Sequence, residues 1–217
     1  MRKAIVSGAN GFVGSAVVKE LISQGYEVYA LARENHYDQI PIGEMVRIVP
    51  FSLENIEALG EVIPINEYEA FYHFAWNGSA GVDRADTALQ LKNAQWTVEC
   101  LQLAKRLGCK RFVPAGSIME HETIAAVYTQ GNRPGAGYIY GSGKVAAHMM
   151  CMSMAVKEGI DLVWPKITNA YGPGERSPRL VNSTIRKCIA GEDPQFTAGT
   201  QNYDFVYIDD VARAFRL

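Results

Sequence analysis

The chain has 217 residues, 48% hydrophobic and 20% charged, with a net charge of −2. That is enough apolar material for one large domain, or one domain with a small lobe. It has no basic excess for nucleic acid, no lysine/arginine run for a membrane surface and no apolar stretch long enough to span a bilayer. The start, MRKAIVSGANGFVG, is basic and then briefly apolar. Glycines follow where the apolar core of a signal peptide would continue, which argues against one. Cys100, Cys109, Cys151 and Cys188 are too widely spaced for a zinc pattern or a dense disulfide framework. Reduced thiols, no metal site and a cytoplasmic location are therefore expected.

In chain order, KAIVSG reads as a strand and residues 12–24 as a helix. EVYALA, VRIVPF, EAFYHFA, RFVPAG and DLVWPKI read as five further strands, with long helices near 85–107 and 139–158. Valine- and isoleucine-rich runs separated by helices predict an α/β chain with a parallel sheet covered on both faces. After residue 167 the pattern changes. YGPGERSPR is a loop, 180–190 a helix, and DFVYIDDVARAF a strand running into a helix that has barely begun.

The first strand runs into Gly8-Ala9-Asn10-Gly11-Phe12-Val13-Gly14. A glycine-rich strand-to-helix turn lets backbone N–H groups and a helix N-terminus approach a pyrophosphate. The spacing is G-x-x-G-x-x-G rather than the common G-x-G-x-x-G, and a tight turn without a ligand is the alternative. Its place at the opening of a β-α-β unit favours the nucleotide. Gly8, Asn10, Gly11, Phe12, Val13 and Gly14 are thus cofactor-binding candidates. The second strand ends Leu31-Ala32-Arg33, with no carboxylate at its tip for the ribose 2′-OH of NAD. Arg33 offers a guanidinium to the 2′-phosphate of NADP, although Glu34 follows it directly. NADP is the expected cofactor and NAD the alternative.

The stretch GYIYGSGK sets Tyr140 and Lys144 one helical turn apart, a spacing common by chance. With the glycine loop, HFAW at 73–76, RFVPAGS at 111–117 and this pair in that order, the chain resembles the extended short-chain dehydrogenase/reductases. More narrowly it is similar to the nucleotide-sugar epimerase/dehydratase family, whose later signatures NAYGPGE (169–175) and DFVYIDDVARAF (204–215) match. The resemblance implies a Rossmann-type doubly wound parallel sheet with a small C-terminal substrate lobe. The dinucleotide-binding domain would span 1–167, and the start of an incomplete lobe 168–217, with 203–217 returning to the main domain.

It also implies a catalytic group of Ser117, Tyr140 and Lys144. The lysine ammonium would lower the phenol's pKa, since a nearby opposite charge favours the ionised form. Ser117 would hydrogen-bond the sugar oxygen, and a hydride would pass between nicotinamide and sugar carbon. Cofactor contacts are implied at Ser52, Leu53, Phe74, Ala75, Trp76, Tyr140 and Lys144, and substrate contacts at Ser117 and Asn169. Asn93 would have a structural role. Ser52 stands where the family usually has aspartate, Lys166 replaces a frequent arginine, and Tyr203 stands where many epimerases place a phosphate-binding arginine. His73 and the methionines Met149, Met150, Met152 and Met154 are expected in packing or a subunit contact.

Dehydratases of the family usually carry Asp-Glu directly after the catalytic hydroxyl. Here Ile118-Met119 follows Ser117, and Glu120 comes later. AGSIMEH is similar to the variant in members that reduce 4-keto-6-deoxy sugars. The expectation is an NADP(H)-dependent reductase of a nucleotide-linked 4-keto-6-deoxyhexose, with Tyr140 as proton donor. The alternatives are an NAD-dependent nucleotide-sugar epimerase and a non-catalytic NADP-binding regulator. A homodimer through the two long helices is expected, with no nucleic-acid or membrane partner.

Overall fold

The computed structural model of the chain describes residues 1–129 and 133–217. Six parallel strands form the main sheet: β1 (Arg2–Ser7), β2 (Tyr26–Ala32), β3 (Val46–Pro50), β4 (Tyr68–His73), β5 (Cys109–Pro114) and β7 (Asp161–Leu162). Their order is β3-β2-β1-β4-β5-β7. The chain winds outward from β1 in one direction and then, beginning at β4, in the other. Both faces are covered, so alternate residues of one strand enter different cores. Ile5 packs with Leu31, Phe71 and Phe112, whereas Ala4 and Val6 pack with Val17, Leu21 and Val28. Each such valine, leucine, isoleucine or phenylalanine side chain contributes about 1.5–3 kcal/mol on burial. The helices α3 (Thr87–Arg106) and α5 (Ile139–Glu158) cover the first face.

The second face is covered by α1 (Phe12–Ser23) and α7 (Ile208–Arg216). Phe215 meets Phe74 edge-on at 4.9 Å, and Arg216 pairs with Glu20 at 2.6 Å. The last residues of the sequence thus lie beside its first helix. Between them are β9 (Asn169–Tyr171), α6 (Leu180–Ile189) and β10 (Phe205–Tyr207), with β10 parallel to β9. Leu180, Ile185 and Ile189 of α6 are exposed.

Two expectations change. DLVWPKI is not one strand. It supplies β7 and then β8 (Lys166–Ile167), which pairs instead with β6 (Gly116–Ser117). Pro165 between them has no N–H for a ladder, and its carbonyl accepts the Gly116 amide at 2.8 Å. Ser117 therefore sits on this small ladder, beyond the end of the fifth strand. The second change is α4 (Met119–Thr129), a helix for which the sequence supplied no pattern. Its buried residues are Glu120, Thr123 and Ala126, so the inward face is mostly polar and leaves no apolar period.

The four cysteines are free, with Cys188 alone exposed. Among the described residues no helix is long and apolar enough to cross a membrane, and no cluster of three metal-ligating side chains occurs.

A Cβ built on Gly141 of α5 would lie 1.9 Å from Thr123 Oγ1 and 2.7 Å from the Met119 carbonyl. Glycine to alanine inside a helix ordinarily stabilises by about 1 kcal/mol. Here G141A should instead destabilise by about 1–3 kcal/mol, because α4 has to move away. Urea unfolding of G141A checks the sign, and T123A in the same chain should recover part of the loss.

Candidate active site

Two cavities open at the carboxyl ends of the strands. The larger, about 570 Å³, runs from the glycine loop to Lys144, and every residue expected to contact the dinucleotide lines it. The smaller, about 320 Å³, is lined by Asn169, Tyr203, Arg84 and Arg179. Ser117 and Tyr140 line both.

The loop is built for close approach. Gly8 has φ +68°, and a Cβ there would lie 2.7 Å from the Ala75 nitrogen. A Cβ on Gly14 would lie 2.2 Å from the Gly8 carbonyl. The tight turn and the opening of α1 are thus fixed by shape. Phe12 and Val13, the first residues of α1, are half-buried along the cleft wall. Asn10 faces its own protein: its Oδ1 accepts the Gln39 amide at 2.7 Å and its Nδ2 donates to Asp38 at 3.0 Å. Arg176 reaches Asp38 from beyond β9, at 2.5 Å. These contacts fit a pyrophosphate held by backbone rather than side chain.

At the far end of the larger cavity from Lys144, Arg33 is exposed at the tip of β2. Ser52 is occupied. Its hydroxyl accepts the Glu54 amide at 3.3 Å and donates to the Glu54 carboxylate, while Leu53 is buried behind it. Ser52 lines the cleft as expected, with its hydroxyl bonded to Glu54 in this structure. That carboxyl is held below its usual range by the Ser52 hydrogen bond first, with help from Arg33 and Lys92.

Lys144 is 6% exposed. Its Nζ donates to the Ala115 carbonyl at 2.9 Å and stands 3.5 Å from the centre of the Trp76 ring. Burial lowers its pKa to about 7, against the opposing pull of Glu120. Tyr140 meets Trp76 edge-on at 5.9 Å, and the Arg84 guanidinium lies 4.2 Å over its ring. Burial raises the phenol's pKa, while the Ser117 hydroxyl, Arg84 and Arg179 draw it down. This differs from the expectation that Lys144 is the acidifying charge. The ammonium is 5.9 Å from the Tyr140 ring centre, directed at a carbonyl, and close to losing its own proton at neutral pH.

Behind these residues, Asn93 grips the Asn77 backbone with both ends of its amide, at 2.9 and 2.8 Å. His73 fills the core, with Nδ1 2.8 Å from Ser7 Oγ, and burial lowers its pKa to about 3. Lys166 lines neither cavity, and its Nζ is 3.0 Å from His121 Nε2. Met149, Met150 and Met152 are exposed, while Met154 packs on the core.

The model of the NAD dependent epimerase/dehydratase family matches residues 4–217. The chain belongs to this family. It is 26% identical over 223 residues to UDP-glucuronic acid decarboxylase 1 of Xenopus tropicalis, a match covering 97% of this chain and 52% of that protein. It is also 26% identical to CDP-abequose synthase of Salmonella muenchen, across 99% of this chain and 69% of that protein. In structure it is similar to UDP-N-acetylglucosamine 4-epimerase of Methanobrevibacter ruminantium M1. There the TM-score is 0.81 at 20% identity, with 99% of this chain and 72% of that one covered, a likeness that shows the fold. The chain spans about half the length of the UDP-glucuronic acid decarboxylases it matches.

Within this epimerase/dehydratase chain, three side chains at the site lie outside the family motifs quoted above or had no assigned role. Gln90, 1% exposed, accepts from Trp76 Nε1 at 2.8 Å and donates to the carbonyls of Gly78 and Asp83. Its one sequence signal is its place three residues before Asn93 on α3. Glu120, 1% exposed, accepts the Ser117 amide at 2.8 Å, Trp164 Nε1 at 3.1 Å and His148 Nδ1 at 2.8 Å. Arg84 carried no signal, because a lone arginine in a loop reads as surface.

The Lys144 shift predicts a pH dependence of stability in the dinucleotide-free protein. Between about pH 7 and 10.5 the unfolded lysine holds a proton that the folded one has released. Stability must rise with pH wherever the unfolded state binds more protons. The unfolding free energy of wild type, relative to K144M, should therefore climb across this window and be flat below it. Urea titrations of both proteins at several pH values test this, and a constant difference means that the folded ammonium keeps its proton.

Proposed function

We propose that this chain is the dinucleotide-binding and catalytic part of an NADP(H)-dependent reductase of a nucleotide-linked 4-keto-6-deoxyhexose. The observation that carries the reading is the shared wall: Ser117 and Tyr140 line both the glycine-loop cleft and the smaller cavity. The cavities meet at these two residues, together with Thr168, Ala170, Glu175 and Arg179, so a nicotinamide held in one and a sugar held in the other would come into contact there. The nicotinamide, when bound, supplies the hydride. Tyr140 gives its phenolic proton to the sugar's carbonyl oxygen as that oxygen gains charge, and Ser117 orients the same oxygen with its hydroxyl. Lys144, held by Ala115 and Trp76, stands ready at the cleft side for ribose hydroxyls.

Two further features support reduction. The phenol's pKa is raised, so Tyr140 is protonated at neutral pH, the form a proton donor requires. Glu120, the nearest carboxylate after Ser117 in sequence, faces His148 and Trp164 and lines neither cavity. Glu122 and Glu175 do line the smaller cavity, but Glu175 is engaged by the Ser177 amide and by Arg179. The Glu120 carboxylate meets Ser117 at its backbone amide and is not offered to the cavity, which argues against its serving as an acid for elimination of water.

The second reading is an NAD-dependent epimerase. It is favoured by Glu54, a carboxylate beside Arg33 at the adenosine end that would oppose a 2′-phosphate. Structures similar in fold include a UDP-glucuronic acid 4-epimerase from Bacillus cereus in complex with NAD. In either reading a homodimer would cover Met149, Met152 and Val156. These exposed residues of α5 recur at intervals of three and four and so share one face.

The full-length protein, given NADPH and a 4-keto-6-deoxy nucleotide sugar, should consume the two in equal amounts. Conversion of a nucleotide sugar without added cofactor would instead establish the epimerase. Y140F should lower kcat by about 10²–10⁴-fold while still binding the dinucleotide. R33A should weaken NADPH binding by about tenfold or more and leave NADH binding unchanged, since only the former presents a phosphate to the guanidinium. Equal effects on both cofactors would remove the NADP assignment.

A further inference from the structure

The residue taken to activate Tyr140 is Lys144, yet a different cation lies against the phenol ring. Arg84 belongs to a short turn, Val82–Ala85, that follows Gly81 in a left-handed conformation (φ +70°). The turn is fixed from below. Gln90, buried on α3, donates to the Asp83 carbonyl at 2.9 Å, on the residue just before Arg84, and to the Gly78 carbonyl at 3.1 Å. The same amide accepts Trp76 Nε1, so one side chain sets both neighbours of the Tyr140 ring. Arg84 Nη1 then donates to the Ser79 carbonyl at 3.0 Å, with the guanidinium 4.2 Å over the Tyr140 ring.

The other charges around the phenol are compromised. Lys144 is committed to the Ala115 carbonyl and the Trp76 face. Arg179, ahead of α6, lies 3.8 Å from the Glu175 carboxylate, which offsets its charge. Glu120 of α4 acts in the opposite sense and is itself paired with His148 and Lys166. Among the described residues no carboxylate forms an ion pair with Arg84. It also lines the smaller cavity, beside Ser117 and Tyr140.

We propose that Arg84, acting across the face of the ring, tunes the proton-donor strength of Tyr140 beside the Ser117 hydroxyl that lines the same cavity. The physical basis is the quadrupole of the aromatic ring. A cation over the ring is attracted to its electron-rich face, and ionising the phenol makes that face richer. The contact is therefore stronger in the phenolate than in the phenol, and the proton is easier to give up. A planar guanidinium stacks in this way better than an ammonium does. Lys144 keeps the cleft-side place proposed above, with its ammonium on the Ala115 carbonyl and the Trp76 face. The proposal rests on Tyr140 as the proton donor, and its test needs no substrate.

A fluorinated tyrosine is incorporated at position 140 of the full-length protein, so that ring fluorine brings ionisation into the range where the protein is folded. Its ionisation is followed by fluorine NMR against pH. Arg84→Gln should raise the midpoint by about one pH unit, because a stabilising cation has been removed. R84K should give a smaller rise, and Arg179→Gln a smaller one than R84Q. An unchanged midpoint in both R84Q and R84K overturns the proposal. Once a substrate is turned over, the alkaline limb of the reductive rate should move upward in R84Q by the same interval and return towards wild type in R84K. A slower R84Q with an unmoved limb also overturns it. A shifted midpoint without turnover of any 4-keto sugar leaves Arg84's role standing and removes the substrate reading instead.

Discussion

The site depends on burying one ammonium. Lys144 is 6% exposed and joins three parts of the chain: its own helix α5, the Ala115 carbonyl beyond β5, and the Trp76 indole beyond β4. A charge taken from water is costly unless it is bonded, and here a carbonyl and an aromatic face provide the bonding. Burial also weakens the ammonium's hold on its proton, to a pKa of about 7. The consequence reaches Tyr140. In this geometry the ammonium is directed at a carbonyl and an indole, while the Arg84 guanidinium lies nearer the phenol ring, at 4.2 Å against 5.9 Å.

A second buried charge stands behind the first. The Glu120 carboxylate holds the Ser117 amide, the Trp164 indole and the His148 ring, and His148 stacks on Trp164 with ring centres 4.5 Å apart. This set ties α4 to α5 and to the turn before β8. It explains how α4 can bury a carboxylate, since three donors satisfy Glu120, although the Thr123 hydroxyl beside it has no hydrogen-bond partner among the described residues. Removing one partner of such a set would leave buried donors unpaired, a loss of about 3–5 kcal/mol for a charged centre. The same geometry keeps Glu120 out of the cavity where a sugar would lie, which bears on the reaction as much as on stability.

The two cavities are closed from the other side by the segment after β9. Arg176 reaches Asp38, Asp38 accepts from Asn10, and Asn10 accepts from Gln39, so the glycine loop is linked to residues more than a hundred positions away. The dinucleotide cleft is thus not a property of the first β-α-β unit alone. It includes a wall made by residues 174–179, of which Glu175 and Arg179 also frame the smaller cavity.

Much of this was legible from residues in order. Glycines at 8, 11 and 14 between a strand and a helix force a tight turn, because a side chain there meets backbone within 3.1 Å. Alternating apolar runs and helices dictate a parallel sheet, since both strand faces must be covered. The spacing of Tyr140 and Lys144 puts them on one helical face by geometry alone. Contacts between distant segments were not legible. Whether Lys144 points at a phenol or at a carbonyl, whether Ser52 serves adenine or Glu54, and which arginine stacks on Tyr140 depend on where loops come to rest. A loop arginine, a helical glutamine and a buried glutamate look like solvent-facing residues in any linear pattern. Only folding decides them, because their partners are chosen by burial and hydrogen bonding among segments brought together from afar.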